Sequence, residues 1–383
     1  MTRTLPHRLA AALVLAMAAA PVASVGAQNR FVQTNLVSDI AGLATFTDAS
    51  LVNPWGIATS PTSPFWVSDN GTGLSTLYNT TGTKLGLVVT VPSGGTAPSK
   101  PTGVTFNNTG AFAVAPGSNA AFLFATENGT IAGWAGALGT NAVTVVDRSA
   151  SGAAYKGIAV AGRGGEARLF AANFAAGTVD AWDSGFAPIL PGAFVDAAVP
   201  TGYAPFNVQN FGGSLYVTYA LRGPNGDDVA GAGHGFIDVF DTNGKLLRRL
   251  ANGGVLNSPW GMAVAPVGFG GFAGDLLVGN FGDGTINAFD PLTGALNGTL
   301  RGLGGSALRI QGLWGLIAGN GGNGGVPSSI YFAAGIPGGG QVEDHGLFGS
   351  LAFVATPEPG SFALLATGLL LGMAGVVRRR SQR

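Results

Sequence analysis

Short apolar runs alternate along this chain with turns rich in glycine, asparagine and aspartate, and the alternation repeats. A turn feeds a small residue, usually glycine, into a short apolar strand at Pro54-Trp55-Gly56-Ile57-Ala58, Pro101-Thr102-Gly103-Val104 and Tyr155-Lys156-Gly157-Ile158-Ala159. The same entry recurs at Pro205-Phe206-Asn207-Val208, Pro259-Trp260-Gly261-Met262-Ala263 and Leu313-Trp314-Gly315-Leu316-Ile317, with Asn207 where the others carry glycine. The spacing is about 50 residues, the period of a repeat architecture. A second strand follows each entry: Phe65-Trp66-Val67, Phe122-Leu123-Phe124, Arg168-Leu169-Phe170, Leu215-Tyr216-Val217, Leu276-Leu277-Val278 and Ile330-Tyr331-Phe332. A third strand, as at 177–183, 235–241 and 284–290, alternates in polarity and predicts a half-buried position. Asp241-Thr242-Asn243-Gly244 is a hairpin signal, and Leu85 to Val91 reads as a fourth, outer strand.

Units of this length with four strands are propeller blades, so the chain predicts an all-β, six-bladed β-propeller over residues 28–355. A β-sandwich would not repeat six times, and the capping units of a solenoid are missing. The sixth unit supplies only three strands, the last at Gly349 to Val354, while Phe31 to Val37 stands ahead of the first unit without a blade. It is expected to pair as the outer strand of blade six, closing the ring and removing an exposed edge. The glycine-rich run 319–325 lacks the Lys-Ser/Thr of a phosphate loop and predicts a long hairpin.

Both ends read as addresses. Arg3 and Arg8, the apolar run Leu9 to Ala20 and the small residues Val25-Gly26-Ala27 form a signal peptide over 1–27, to be cut by signal peptidase before Gln28. At the other end, Pro357-Glu358-Pro359 precedes the uncharged stretch Ser361 to Val377, stopped by Arg378-Arg379-Arg380. That predicts a single transmembrane helix over part of 356–383, with its arginines on the cytoplasmic side and the main domain outside. The arrangement closely resembles the PEP-CTERM sorting signal, which implies an exosortase-type protease as processing partner and transient anchoring in the inner membrane. The product would lie in the periplasm, on the cell surface or in the extracellular matrix.

Charge removes one class of partner. The whole chain is neutral, with 19 basic and 19 acidic residues, yet six of the arginines sit in the two end segments. The remainder is acidic and carries no basic run, so it is no nucleic-acid binder. There is no cysteine, which excludes disulfides, thiolate catalysis and cysteine-zinc sites. The high glycine content belongs to tight turns, because 23 phenylalanines supply a core that a disordered chain would lack.

The repeat style resembles NHL-type propellers. More closely, the Pro-Trp-Gly entries, Ser68-Asp69-Asn70, Gly279-Asn280-Phe281-Gly282-Asp283-Gly284 and His345-Gly346-Leu347-Phe348-Gly349 resemble an uncharacterised exported bacterial family whose members often carry PEP-CTERM tails. The resemblance spans 31 to 354 and implies the fold without an activity.

Candidate chemistry follows from blade geometry. Strand entries and the turns between second and third strands lie on one face, which gathers Trp55, Trp260 and Trp314 with Asp69, Asn70, Glu127, Asn128, Asn173, Asn280 and Asp283 around one mouth. The oxygen-bearing side chains would suit Ca²⁺. The same residues also fill tight turns for local backbone reasons. The indoles would suit a small ligand or an extracellular polysaccharide, or pack between blades. Glu343-Asp344-His345 reads as a metal-binding cluster or a solvated turn. After the leader, only His234 and His345 remain, without a Gly-x-Ser-x-Gly elbow, which disfavours a Ser-His-Asp hydrolase. Two function classes stay open: a non-enzymatic binding or scaffold module, which the missing catalytic signature favours, and a metal-assisted hydrolase or lyase on a small exported substrate.

Overall fold

A computed structural model describes residues 29–355. The leader 1–27 and the sorting segment 356–383, with the expected transmembrane helix, lie outside the described residues. Six sheets stand around one axis, antiparallel throughout except for the short strand Phe46–Thr47 that runs parallel to Arg30–Ser38 at the edge of the last. Their innermost strands are Pro54–Ala58, Pro101–Phe106, Tyr155–Arg163, Tyr203–Phe211, Pro259–Val264 and Leu313–Ala318. Each packs beside the next, and the last beside the first, so the array is closed. Blade 1 shows the plan: Pro54–Ala58, Phe65–Asp69, Leu74–Tyr78 and Lys84–Thr90 pair in order from the axis outward. Blade 2 carries an extra small hairpin, Ala113–Ala115 with Ser118–Asn119.

Blade 6 is completed from the start of the chain. Arg30–Ser38 lies antiparallel to His345–Val354, from Arg30 opposite Val354 to Ser38 opposite Leu347. Phe31 anchors it: the ring is 1% exposed and sits 4.6 Å from Phe269. The expected closure is therefore present, and the edge that would have recruited another chain is paired.

Apolar burial lies mainly between blades. Trp66 stacks on Phe122 at 4.2 Å across the first and second blades, and Phe65, Tyr78, Tyr331 and Phe348 fill the seam between the sixth and first. One expectation fails for two of the three strands that carried it. The third strands Phe236–Phe240 and Ile286–Phe289 are buried on both faces, because each blade is sandwiched between two others. In blade 3 the third strand Thr178–Trp182 does alternate, with Thr178 exposed and Asp180 half-buried, and outer strands such as Lys84–Thr90 show the same half-exposed pattern.

Turn chemistry is equally legible. Asp241 Oδ1 accepts the backbone N–H groups of Asn243 and Lys245, both at 2.9 Å, and Gly244 takes a positive φ of 76° to finish the hairpin. Asn79, Asp183 and Asp290 hold the corresponding turns of blades 1, 3 and 5 in the same manner. In the run 319–325, Asn320 accepts N–H bonds from Gly322 and Gly324 and donates to the Ser60 and Ser63 carbonyls of blade 1. It is the expected hairpin loop.

The entry glycines form the waist of the axial channel. A Cβ on Gly56 would fall 2.6 Å from the Thr102 carbonyl oxygen, one on Gly261 2.2 Å from that of Trp314, and one on Gly315 2.5 Å from that of Trp55. Their bare backbones let neighbouring inner strands touch. Asn207 breaks the pattern because it bridges: its Nδ2 donates to the Trp260 carbonyl at 2.7 Å, satisfying a free strand edge between blades 4 and 5. Beyond the waist, the far end opens into a cavity of about 420 Å³ lined by Ile57, Val104, Ile158, Gln209, Met262 and Leu316 among others.

Candidate functional site

The near end of the channel, where the inner strands begin, carries the richest chemistry. The residue before each waist position is repeat-equivalent: Trp55, Thr102, Lys156, Phe206, Trp260 and Trp314. Trp55 and Trp314 stack at 3.5 Å, Trp260 meets both edge-on at 6.0 and 5.7 Å, and Phe281 covers Trp314 at 3.9 Å. With Phe174 and Phe206 these rings close the channel as a buried aromatic floor. The three tryptophans thus pack on one another at the axis. Trp66, Trp134 and Trp182 are the ones that fill seams between blades.

Lys156 is the one charged residue at the repeat-equivalent positions, and it lies 5% exposed. Its ammonium sits 4.9 Å over the Trp55 ring and 5.9 Å from that of Phe174, and it pairs with Glu127. Burying a lone ammonium costs several kcal/mol, roughly, so a paired carboxylate and the negative ring faces are what hold it there.

From Glu127 a hydrogen-bonded arc crosses the mouth. Asn70 Nδ2 donates to Glu127 Oε2 at 3.1 Å, Asn53 Nδ2 reaches Asn70 Oδ1 at 3.4 Å, and the same Nδ2 donates to Glu343 Oε1 at 3.0 Å. Trp314 Nε1 ties the arc to the floor by donating to Asn53 Oδ1 at 3.3 Å. Two arc residues, Asn53 and Glu343, stand in the left-handed region with φ of 46° and 82°, as does nearby Ser258 with 47°. Such backbone costs about 1–3 kcal/mol each and persists where surroundings over-determine it, often at functional sites. Here the surroundings are explicit: the Asn53 N–H donates to the His345 carbonyl, and the Glu343 N–H donates to that of Gly335 at 2.8 Å.

The carboxyl groups differ in character. Burial would push Glu127 up, but the Lys156 ammonium and the Asn70 amide outweigh it and hold the group below its ordinary value. Glu343 is pushed up to about 7, by burial first and by the charges of Glu127 and Asp228, against the Asn53 amide and Lys156. Asp228 is raised by burial too, despite the Ser258 hydroxyl and Lys156. One mouth therefore holds a firmly ionised carboxylate beside two that protonate more readily.

Of the seven oxygen-bearing residues named from the sequence, the structure brings Asn70 onto Glu127 between blades, and Asn280 onto Asp283 within one turn. Asp69 is fully buried and turns toward Thr76, 2.8 Å from its hydroxyl, with burial holding its pKa well above the usual carboxylate range. Asn173 donates to Asp180 at 3.0 Å and caps its own turn. Asn280 donates to the Val255 carbonyl at 2.7 Å, while Asp283 accepts from Thr285. Asn128 serves the Lys100 and Pro98 backbone. Among the described residues, no three His, Cys, Asp or Glu side chains gather closely enough to hold a metal ion.

The Glu343-Asp344-His345 segment is not a simple solvated turn. Glu343 joins the arc, and His345 Nδ1 lies 2.6 Å from Oδ2 of Asp39, the residue that follows the closure strand. Sequence reasoning also passed over Asn53, Lys156 and Asp228. Lys156 had a readable signal, as the one charge in the column otherwise holding Trp, Phe and Thr.

Residues 355–380 match the PEP-CTERM protein-sorting motif, which implies export, membrane-anchored sorting and processing by an exosortase-type system. Among the described residues, no helix is long and apolar enough to cross a membrane. Among solved structures, an auxiliary nutrient binding protein from Bacteroides thetaiotaomicron superposes with a TM-score of 0.53 at 12% identity, covering 85% of this chain and 77% of that one. A glucose dehydrogenase gives 0.50 at 14% identity, covering 85% of this chain and all of that one (100%). At such identities the likeness is one of fold. In sequence, the chain is 36% identical over 293 residues to Uncharacterized protein R648 of Acanthamoeba polyphaga mimivirus, covering 73% of this chain and 72% of that one. It is 34% identical over 295 residues to Uncharacterized protein L690 of the same virus, covering 73% and 77%. With identity of that order across the repeats, the chain belongs to the family of these two mimivirus proteins.

Proposed function

We propose that this is an exported β-propeller that binds a hydroxylated small ligand, or the end of an extracellular polysaccharide, at the near mouth of its channel. It acts as a binding module. The observation that carries this is a pair of buried donors: the indole N–H groups of Trp55 and Trp260 have no hydrogen-bond partner among the described residues, although both side chains are 2% exposed. A buried donor without a partner costs about 1–3 kcal/mol, which an oxygen-rich ligand would relieve. Flat rings beneath carboxyl and amide groups are the surface a sugar uses, apolar on its ring face and polar at its edge. An NHL-like ancestry and a site at the cell surface or in the extracellular matrix, after transient anchoring, belong to the same reading. Propellers host both binding and catalysis, so the name of a neighbour such as the nutrient binding protein supports the choice only through its fold. Screening the purified exported protein on a glycan array, then titrating hits by calorimetry with wild type and Asn70→Ala, tests it. Binding that weakens in the variant supports the module. An array and polyol panel without binding refutes it.

A metal-assisted hydrolase or lyase is the second reading, favoured by the meeting of Asn70 with Glu127 beside Glu343. In it Ca²⁺ would sit on Asn70, Glu127 and neighbouring carbonyl oxygens, with Asp69, Asn173, Asn280 and Asp283 shaping the surrounding turns. A calcium titration followed by melting temperature, together with a lactone and ester panel, separates the two.

A further inference from the structure

We propose that the ligand of this mouth carries an ammonium group beside its hydroxyls, as an amino sugar or amino polyol does, received by Glu343 and Asp228 above the aromatic floor. The inference rests on the ligand-binding reading and narrows it.

The first ground is an uneven pairing of charge. Glu343 is bonded to Asn53 and feels the charges of both Glu127 and Asp228, and Lys156 is the cation that acts on all three. Lys156 is committed to Glu127. Among the described residues, neither Glu343 nor Asp228 takes part in an ion pair. The rim cations are engaged elsewhere: Arg222 donates to the Phe174 and Ala175 carbonyls, and Arg309 to that of Asp283. Lys100 acts on Glu127.

The second ground is the floor. Lys156 already demonstrates that these rings accept an ammonium, since its Nζ stands over Trp55 and Phe174. Phe281, stacked on Trp314, is a partly exposed ring of the same cluster, and ring faces attract organic cations. A metal ion would instead need converging oxygen ligands, and no trio of acidic side chains gathers for it among the described residues. Hydroxyls of the ligand complete the fit, offering oxygens to the partnerless indole N–H groups of Trp55 and Trp260.

Ionisation of the receiving group sets the pH dependence. Glu343, whose neighbours are Asn53, Glu127, Lys156 and Asp228, gains its charge as pH rises through about 7. An arriving ammonium favours that charged form, so affinity rises with pH and binding below this point expels a proton.

Calorimetry on the full chain with glucamine and sorbitol, which differ by one ammonium group, tests the proposal. Glucamine is expected to bind about tenfold more tightly near pH 8, with the preference shrinking near pH 6. Glu343→Gln should abolish both the preference and its pH dependence, and Asp228→Asn should reduce the preference. Circular dichroism confirms that each variant is folded, and the two variants check each other. Equal affinity for the two polyols, or a preference that survives in both variants, overturns the ammonium while leaving the ligand-binding reading intact. If neither polyol binds and the glycan array is blank, both readings fall.

Discussion

Replacing Gly261 by alanine tests whether contact between inner strands sets the diameter of the channel. The added Cβ would lie 2.2 Å from the Trp314 carbonyl oxygen and 3.2 Å from the Leu316 backbone nitrogen. The first distance is about 1 Å inside ordinary contact. The atom it meets is backbone, so no side chain can swing away. Trp314 cannot retreat, since its ring is stacked at 3.5 Å on Trp55 and at 3.9 Å on Phe281. Overpacking of this kind costs about 1–3 kcal/mol, and a backbone clash belongs at the upper end, so about 3 kcal/mol is expected. Against a total stability of roughly 5–15 kcal/mol that is a large fraction. Urea unfolding followed by tryptophan fluorescence should show a lower midpoint with an unchanged slope. Gly86→Ala is the internal control, because a Cβ there meets nothing within 4 Å in an outer strand; it should be neutral or slightly stabilising. A Gly261→Ala variant within about 0.5 kcal/mol of wild type would refute the waist as a steric limit.

Three other outcomes follow from the same geometry. Asn207→Ala removes the amide that satisfies the Trp260 carbonyl and should lower stability by about 1–3 kcal/mol in urea unfolding. Phe31→Ala empties a 1%-exposed site in the closure strand and should cost about 3–5 kcal/mol, read by the same assay. Glu343 has a folded pKa of about 7 against an ordinary 4.5, so the folded protein binds its proton more tightly than the unfolded chain. Its stabilising contribution is present below pH 4.5 and is lost as pH rises through about 7, on the order of 3 kcal/mol. Glu343→Gln should flatten the pH–stability curve across that window, as measured by thermal melting in matched buffers.

The fold was legible because each blade restates it. Trp55-Gly56, Trp260-Gly261 and Trp314-Gly315 occupy one structural position, and the spacing of their copies announced the blades before any strand was placed. Even the unpartnered strand at Phe31 found its place by elimination, since one sheet lacked an outer member. The mouth was harder to read. Its working residues are departures from the repeat: Lys156 where the other blades carry Trp, Phe or Thr, and Glu343 in a segment with the sequence of a surface turn. Asn173, Asn280 and Asp283 looked like ligands because turns and metal sites use the same side chains, and their local hydrogen bonds are those of turns. Half-burial of the third strands in blades 4 and 5 was misjudged for a different reason. Polar residues such as Asp238 and Asn287 are buried between blades, so alternating polarity no longer reports exposure.

The sheet shared by Arg30–Ser38 and His345–Val354 has a consequence for how the propeller could be rewired. Arg30 and Val354 are cross-strand partners, so a linker of a few residues would join these positions without disturbing any blade. New ends could then be opened at an exposed outer hairpin, such as the turn at Asp183 to Ala187, giving a circular permutant with every strand pairing retained. In that molecule the sixth blade would be continuous in sequence, and its seal would no longer depend on strands drawn from opposite extremes of the polypeptide.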